Sequence, residues 1–155
     1  MTLKHILISA SVISAGLLTL NAGFKGEPKD ALDKRIFITN ITEVKENAPA
    51  KKALADEMEF KSGKGVFITS MYDKHGFSWT KYEIKKDSTF MDENQSEVHW
   101  IEVEASATDK EDQTMIVNAT IEDYDISGTI KITKKDKLKK KYEFSGKEKP
   151  KKAKK

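Results

Sequence analysis

The side chains able to do chemistry in this chain are few: three histidines, scattered carboxylates and serines, and no cysteine. His5 falls in an apolar leader. His75 sits in Asp73-Lys74-His75-Gly76, a turn signal, and reads as an exposed loop residue. His99 is next to Trp100 and points to the opposite face of its strand. A metal site would need both to meet a carboxylate such as Asp73 or Glu97. The spacing provides no such meeting, so no metal is expected. Without cysteine there is no thiolate zinc site and no thiol nucleophile. Serine catalysis needs a positioned base. Ser127-Gly128 and Ser145-Gly146 are strand residues with no histidine near them, and Gly-x-Ser-x-Gly does not occur. Glu102 with Glu104, and Asp123 with Asp125, are carboxylate pairs of the kind glycosidases use. On an outward sheet face or in a turn they are solvated charges. There is no phosphate loop and no dinucleotide fingerprint. The sequence therefore assigns no catalytic residue, no cofactor and no enzymatic activity.

Aromatic and basic residues offer more. Phe60, Phe67, Phe77, Trp79, Trp100 and Tyr142 lie on several candidate strands. If they converge inside a closed sheet, they line an apolar pocket for a small ligand. The alternative is plain core packing, because a barrel of about eight strands either fills with side chains or holds one ligand. Residues 134–155 carry 12 lysines against three carboxylates, while residues 24–133 carry 15 basic and 22 acidic residues. The body is acidic and the C-terminus basic. Lys147, Lys149, Lys151, Lys152, Lys154 and Lys155 form a tail suited to an anionic envelope component. Nucleic acid does not fit an acidic body on an exported chain.

The elements that must position these residues have a period of two. Residues 35–44 (RIFITNITEV) form a long β-branched strand. Residues 45–56 are polar, with an Ala-Lys-Lys-Ala-Leu-Ala stretch that suggests one helical turn. Residues 58–61 and 66–71 flank Ser62-Gly63-Lys64-Gly65, a hairpin signal. Residues 73–76 turn into a strand at 77–84, and 86–88 lead to a short piece at 89–91. Residues 97–107, 115–121, 126–133 and 138–146 complete the series. Connections this short favour antiparallel neighbours, since a parallel crossover needs about a dozen residues or more. The expected fold is all-β: an antiparallel up-and-down barrel of about eight strands, with a two-sheet sandwich as the alternative.

Alternation assigns an inner face to the later strands. Ile101, Val103, Ala105 and Ala107 oppose Glu102 and Glu104. Met115, Val117, Ala119 and Ile121 form the next row, then Ile126, Gly128, Ile130 and Ile132, then Tyr142, Phe144 and Gly146. Gly128 and Gly146 are expected inside, relieving crowding where strands coil. In 35–44 both faces are partly apolar, which predicts cover on both sides.

Residues 1–22 have the three parts of a secretory signal: Lys4, an apolar run over residues 6–20, and small residues at Asn21-Ala22-Gly23. The run is shorter than the roughly 20 residues that cross a bilayer. The expected division is a signal-peptide helix at 1–22, a polar lead-in at 23–34, a β-barrel domain at 35–146 and a Lys-rich tail at 147–155. The expected location is exported: periplasmic, cell-surface or secreted, with no transmembrane span after cleavage.

The first strand Arg35-Ile36-Phe37-Ile38-Thr39, the hairpin Met58-Glu59-Phe60 to Gly63-Lys64-Gly65, and the late pair Ile126-Ser127-Gly128-Thr129 and Tyr142-Glu143-Phe144-Ser145-Gly146 resemble the lipocalin-like (calycin-type) barrels. The resemblance is to the small exported bacterial versions and spans about residues 35–146. Lys34-Arg35-Ile36 stands where lipocalins carry Gly-x-Trp. The resemblance implies an apolar or amphipathic ligand inside the barrel. The competing expectation is a ligand-free, envelope-associated interaction module that uses its outer face and basic tail.

Overall fold

The computed structural model describes residues 29–45, 48–49 and 51–150. The expected signal-peptide helix, Lys151, Lys152, Lys154 and Lys155 lie outside the described residues. Eight strands and one short helix follow in order: β1 (Ile36–Val44), β2 (Leu54–Lys61), β3 (Gly65–Ile68), α1 (Thr69–His75), β4 (Tyr82–Met91), β5 (Glu97–Thr108), β6 (Gln113–Glu122), β7 (Asp125–Lys134) and β8 (Lys137–Glu148). They form one sheet in the order β3-β2-β1-β8-β7-β6-β5-β4, with every ladder antiparallel. The fold is thus all-β and barrel-like, a single curled sheet rather than a sandwich of two.

Side-chain chemistry sets the hairpin tips. Asp92 Oδ1 accepts the Asn94 and Ser96 N–H groups at 2.8 Å each. Asp109 Oδ1 accepts those of Glu111 and Gln113 at 2.8 and 2.9 Å. These are the local turns that aspartate favours. Between β7 and β8 the two-residue loop Lys135-Asp136 has φ of 51° and 58°, the backbone twist that matches a tight antiparallel pair.

The inner rows of β5 to β8 fall where alternation put them. Ile101, Met115, Ile121, Ile126, Ile130 and Ile132 are each at most 2% exposed. A Cβ on Gly128 would stand 2.1 Å from the Asn118 carbonyl oxygen, and one on Gly146 2.2 Å from that of Ile38. Both glycines sit where strands approach too closely for a side chain.

The first half departs from the sequence reading in four ways. β1 is covered on one side only: Phe37, Thr39 and Ile41 are buried, while Ile38 is 45% exposed. A single sheet has one dry face, so the apolar residues of the other face meet water. Leu54, Ala55 and Asp56 extend β2 and pair with Ile41, Asn40 and Thr39, rather than forming a helical turn. The sole helix among the described residues, α1, occupies the expected end of a strand and the expected 73–76 turn. Asp56 on β2 explains it: its carboxylate accepts the Ser70 N–H at 3.1 and 3.2 Å, Met71 is buried, and Gly76 closes the helix at φ 73° with its N–H on the Tyr72 carbonyl. Residues 77–79 are then irregular, and β4 runs unbroken from Tyr82 to Met91 through a bulge between Ile84 and Lys86.

The two ends of the barrel are closed differently. At the far end, where β1 finishes, α1 inserts Met71. At the near end the last residues of the lead-in form a plug, with Leu32 fully buried. Asp30 secures it by accepting the Tyr82 hydroxyl at 2.7 and 2.9 Å and the Leu32 N–H at 2.9 Å. Burial, then the hydrogen bond to Asp30, pushes the Tyr82 hydroxyl pKa far above its usual value.

Ladder continuity fails at one place. β3 is tied to the segment just before β4 only through Val66 and Thr80, whose N–H and C=O groups exchange bonds of 2.8 and 2.9 Å. Gly65 beside them has φ 123°, and a Cβ there would lie 2.1 Å from the Thr80 carbonyl oxygen. Gly65→Ala is expected to lose about 1–3 kcal/mol to backbone strain alone and to accelerate amide exchange at Val66 and Thr80. Gly76→Ala, with nothing within 4 Å of the new Cβ, should lose about 1–2 kcal/mol and leave those amides protected. Urea titration with hydrogen exchange distinguishes the two, and unchanged exchange in the Gly65 variant would refute a role in the seam.

Leu32→Ala should destabilise by about 2–5 kcal/mol, as a fully buried leucine does. Leu138→Ala, at a side chain 53% exposed, should stay within about 0.5 kcal/mol. Equal midpoints in urea would show that residues 30–34 are not part of the folding unit.

Candidate functional site

The six aromatic residues expected to line a pocket divide evenly. Phe60, Phe77 and Tyr142 do point inward, each at most 4% exposed. They fill space rather than surround it. Phe60 packs edge-on against Phe37 at 5.9 Å and against Tyr82 at 5.4 Å between ring centroids. Phe67, Trp79 and Trp100 are on the outside. Phe67 lies between the buried Val66 and Ile68 on β3, so period two turns it outward. Trp100 precedes the buried Ile101 in the same way. Trp79 falls in the expected strand 77–84, but residues 77–79 are irregular, so strand alternation does not set its direction.

The displaced aromatics form two patches. Phe67 stacks at 5.5 Å against both Tyr72 of α1 and Trp79, with Lys64 Nζ 4.9 Å above the Trp79 ring, a cation–π contact. Phe90 packs at 6.1 Å on Trp100, whose indole N–H donates to Glu102 at 2.9 Å. Tyr72, Phe90 and Met91 are 51%, 44% and 63% exposed. One patch borders the Val66–Thr80 bridge of the seam, and the other lies at the C-terminal end of β4. Beyond the Thr80 bridge, no strand among the described residues pairs with the outer edge of β4. The bulge and Lys85-Lys86 guard the first half of that edge against pairing. The second half carries Phe90 and Met91.

At the far end, a recess of about 210 Å³ lies between β1, β2, α1 and β8, lined by Ile41, Leu54, Ser70, Tyr142 and three lysines. His75 Nε2 is 3.1 Å from the Tyr142 hydroxyl. Burial, reinforced by Lys140 and Lys74, lowers the His75 pKa, against smaller opposing effects of Glu43 and Asp109. Burial and then Glu43 raise that of Tyr142. The pair is therefore neutral at pH 7. Glu43 is held below its usual value, first by its hydrogen bond from Lys51 at 2.5 Å. The Ser70 hydroxyl is buried and has no hydrogen-bond partner, which costs a polar group about 1–3 kcal/mol. Tyr142 and His75 were singled out in the sequence, but the grouping was not legible there because its residues come from four elements, α1 among them.

At the near end, Arg35 spans the mouth of an open cleft. It bonds Glu148 (Nε–Oε2 2.9 Å, Nη2–Oε2 2.7 Å), donates to the Asp123 carbonyl, and sits 5.0 Å above the Phe37 ring. His99 Nε2 lies 2.5 Å from Asp87 Oδ1, and the His99 backbone N–H donates to Asp123 Oδ1 at 2.9 Å. Among the described residues no three histidine or carboxylate side chains gather around one point. Lys147 is in β8 and pairs with Asp125 at 2.6 Å; Lys149 pairs with Glu57 at 3.0 Å. No helix among the described residues is long and apolar enough to cross a membrane.

Comparison with known proteins gives no match to a family model, a curated protein or a solved structure.

The lowered His75 pKa fixes the sign of a pH effect. The unfolded chain takes up the proton near pH 6.5 while the folded chain still resists it. The contribution is complete above that pH and is lost as pH falls toward the folded value. Wild type should therefore lose more of its melting temperature between pH 7.5 and 5.5 than His75→Gln. Parallel melting curves would refute the assignment.

Proposed function

We propose that this chain is an exported interaction module that engages an extended segment of a partner protein on the outside of its barrel, along the β3–β4 seam. The observation that carries this reading is the placement of Phe67, Trp79, Phe90 and Trp100 on the outer side, on or beside β3 and β4, the two strands that end the sheet, while Phe60, Phe77 and Tyr142 are packed in the core. Aromatics at the surface, Phe90 exposed and the other three half-buried, supply large contact area at low entropy cost. A free strand edge offers unsatisfied N–H and C=O groups to an extended peptide. The leader at 1–22 would deliver the domain to the envelope. Lys151, Lys152, Lys154 and Lys155 would add attraction to an anionic component there, because Lys147 and Lys149 already have carboxylate partners. The filled interior weighs against a lipocalin-like carrier.

A photo-crosslinking amino acid placed at Trp79 or Phe90 in producing cells should give discrete adducts. The same probe at Asn118, on the outer face of β6, should give none. Equal labelling from all three positions, or none from any, would overturn the seam assignment. Native mass spectrometry of the protein purified from its own envelope separates the carrier reading. A reproducible extra mass that leaves on denaturation would establish a ligand inside the barrel and displace the module reading.

A further inference from the structure

We infer that the far-end recess is a binding site for a small organic anion, an oxyanion head on a short apolar stem. This rests on side chains remote from the seam and holds or fails independently of the interaction module.

Charge is the first argument. Among the described residues, Lys51, Lys52 and Lys74 converge on the recess against a single lining carboxylate, Glu43, which Lys51 already engages at 2.5 Å. Among the described residues Lys52 and Lys74 make no ion pair. Lys140 adds to the positive field, since it acts on both His75 and Glu43. Surface lysines are usually just solvated, so charge does not make a site by itself. Two further features distinguish this place. The recess is walled by four elements and has an apolar floor, with Ile41 only 4% exposed. Ser70 also lines it, and its hydroxyl is buried with no hydrogen-bond partner. A native fold keeps few such groups, and a missing ligand is one standard reason.

Size and polarity select the ligand class. About 210 Å³ admits a compact molecule, not a polymer. Two uncommitted ammonium groups, with the Ser70 and Tyr142 hydroxyls, match one carboxylate or phosphate head. Ile41 and Leu54 match a short aliphatic stem. The neutral His75–Tyr142 pair places no competing negative charge beside the head.

The test is amide chemical-shift titration of the full mature chain with hexanoate, hexyl phosphate, inorganic phosphate and hexylammonium. Saturable shifts are expected at Ile41, Leu54, Ser70 and Met71, with none from hexylammonium. The dissociation constant should rise at least about tenfold in the K52Q/K74Q double variant, and by a smaller factor in Ser70→Ala. Both lysines are exposed, so the double variant should keep the native spectrum. Saturation by hexyl phosphate alone would assign a phosphate head, and by hexanoate alone a carboxylate head; each supports the site. Shifts spread over the Lys-rich β7–β8 hairpin and unchanged in K52Q/K74Q would overturn it. So would the absence of saturable shifts with all three anions.

Discussion

Closure of β1 against β8 is the constraint on which the rest of the molecule depends. Most other ladders join consecutive strands across a short turn. This one joins residues about a hundred positions apart, from Phe37 with Glu148 to Val44 with Lys141. The chain must pay the loop-closure entropy of nearly the whole domain before this ladder returns anything. The Arg35–Glu148 pair, 113 residues apart in sequence, secures it at the near end. Both side chains are about 10% exposed, so the pair works in a lower dielectric than a surface ion pair. Its planar guanidinium also covers Phe37 and reaches the β6–β7 turn. One residue thereby links the first strand, the last strand and a hairpin tip between them.

Closing the sheet between β1 and β8 moves its weak point elsewhere. In a simple up-and-down barrel β3 and β4 would share a full ladder. Here α1 stands between them in the chain, and the following residues return in an irregular path before β4 begins. One bridge is what the geometry allows. The seam is therefore a consequence of the far-end closure: the same Asp56 and Met71 that fix α1 over the barrel mouth prevent β4 from running alongside β3. An unpaired edge is normally blocked by charge or a bulge. β4 has both in its first half, while its last residues, Phe90 and Met91, are exposed and have neither.

The sequence was most legible where a strand is long and has one wet face. β5 to β8 alternate because Glu102, Glu104, Lys131 and Glu143 face water while their neighbours face the core. The two inner glycines were readable for the same reason, since a gap in an apolar row needs an explanation. Legibility failed where tertiary contacts decide. Residues 69–75 carry a single buried side chain, Met71, so no helical stripe marks them. Their helix depends on a carboxylate from β2, far along the chain. β1 misled because Ile36 and Ile38 are β-branched residues at home in any strand, inside or out. Leu32 was hidden in a polar stretch, although one apolar residue between aspartates that form turns is enough to plug a barrel end. Trp79 was misplaced because period two was extended into a segment that is not a strand.

These failures bear on where a site can lie. Alternation describes strands, and in this molecule it describes a filled interior. The features that offer recognition arise at the breaks in alternation: the helix, the irregular return, the bulge and the loop before β2. The far-end recess draws Ser70 and Lys74 from α1 and Lys51 and Lys52 from that loop. The aromatic patches draw Tyr72 from α1, Trp79 from the irregular return and Phe90 from beyond the bulge. A carrier concentrates its recognition inside regular strands, where a cavity must be left unfilled. Here the regular strands are committed to packing, with Phe37, Phe60, Met58 and Ile130 leaving that space occupied.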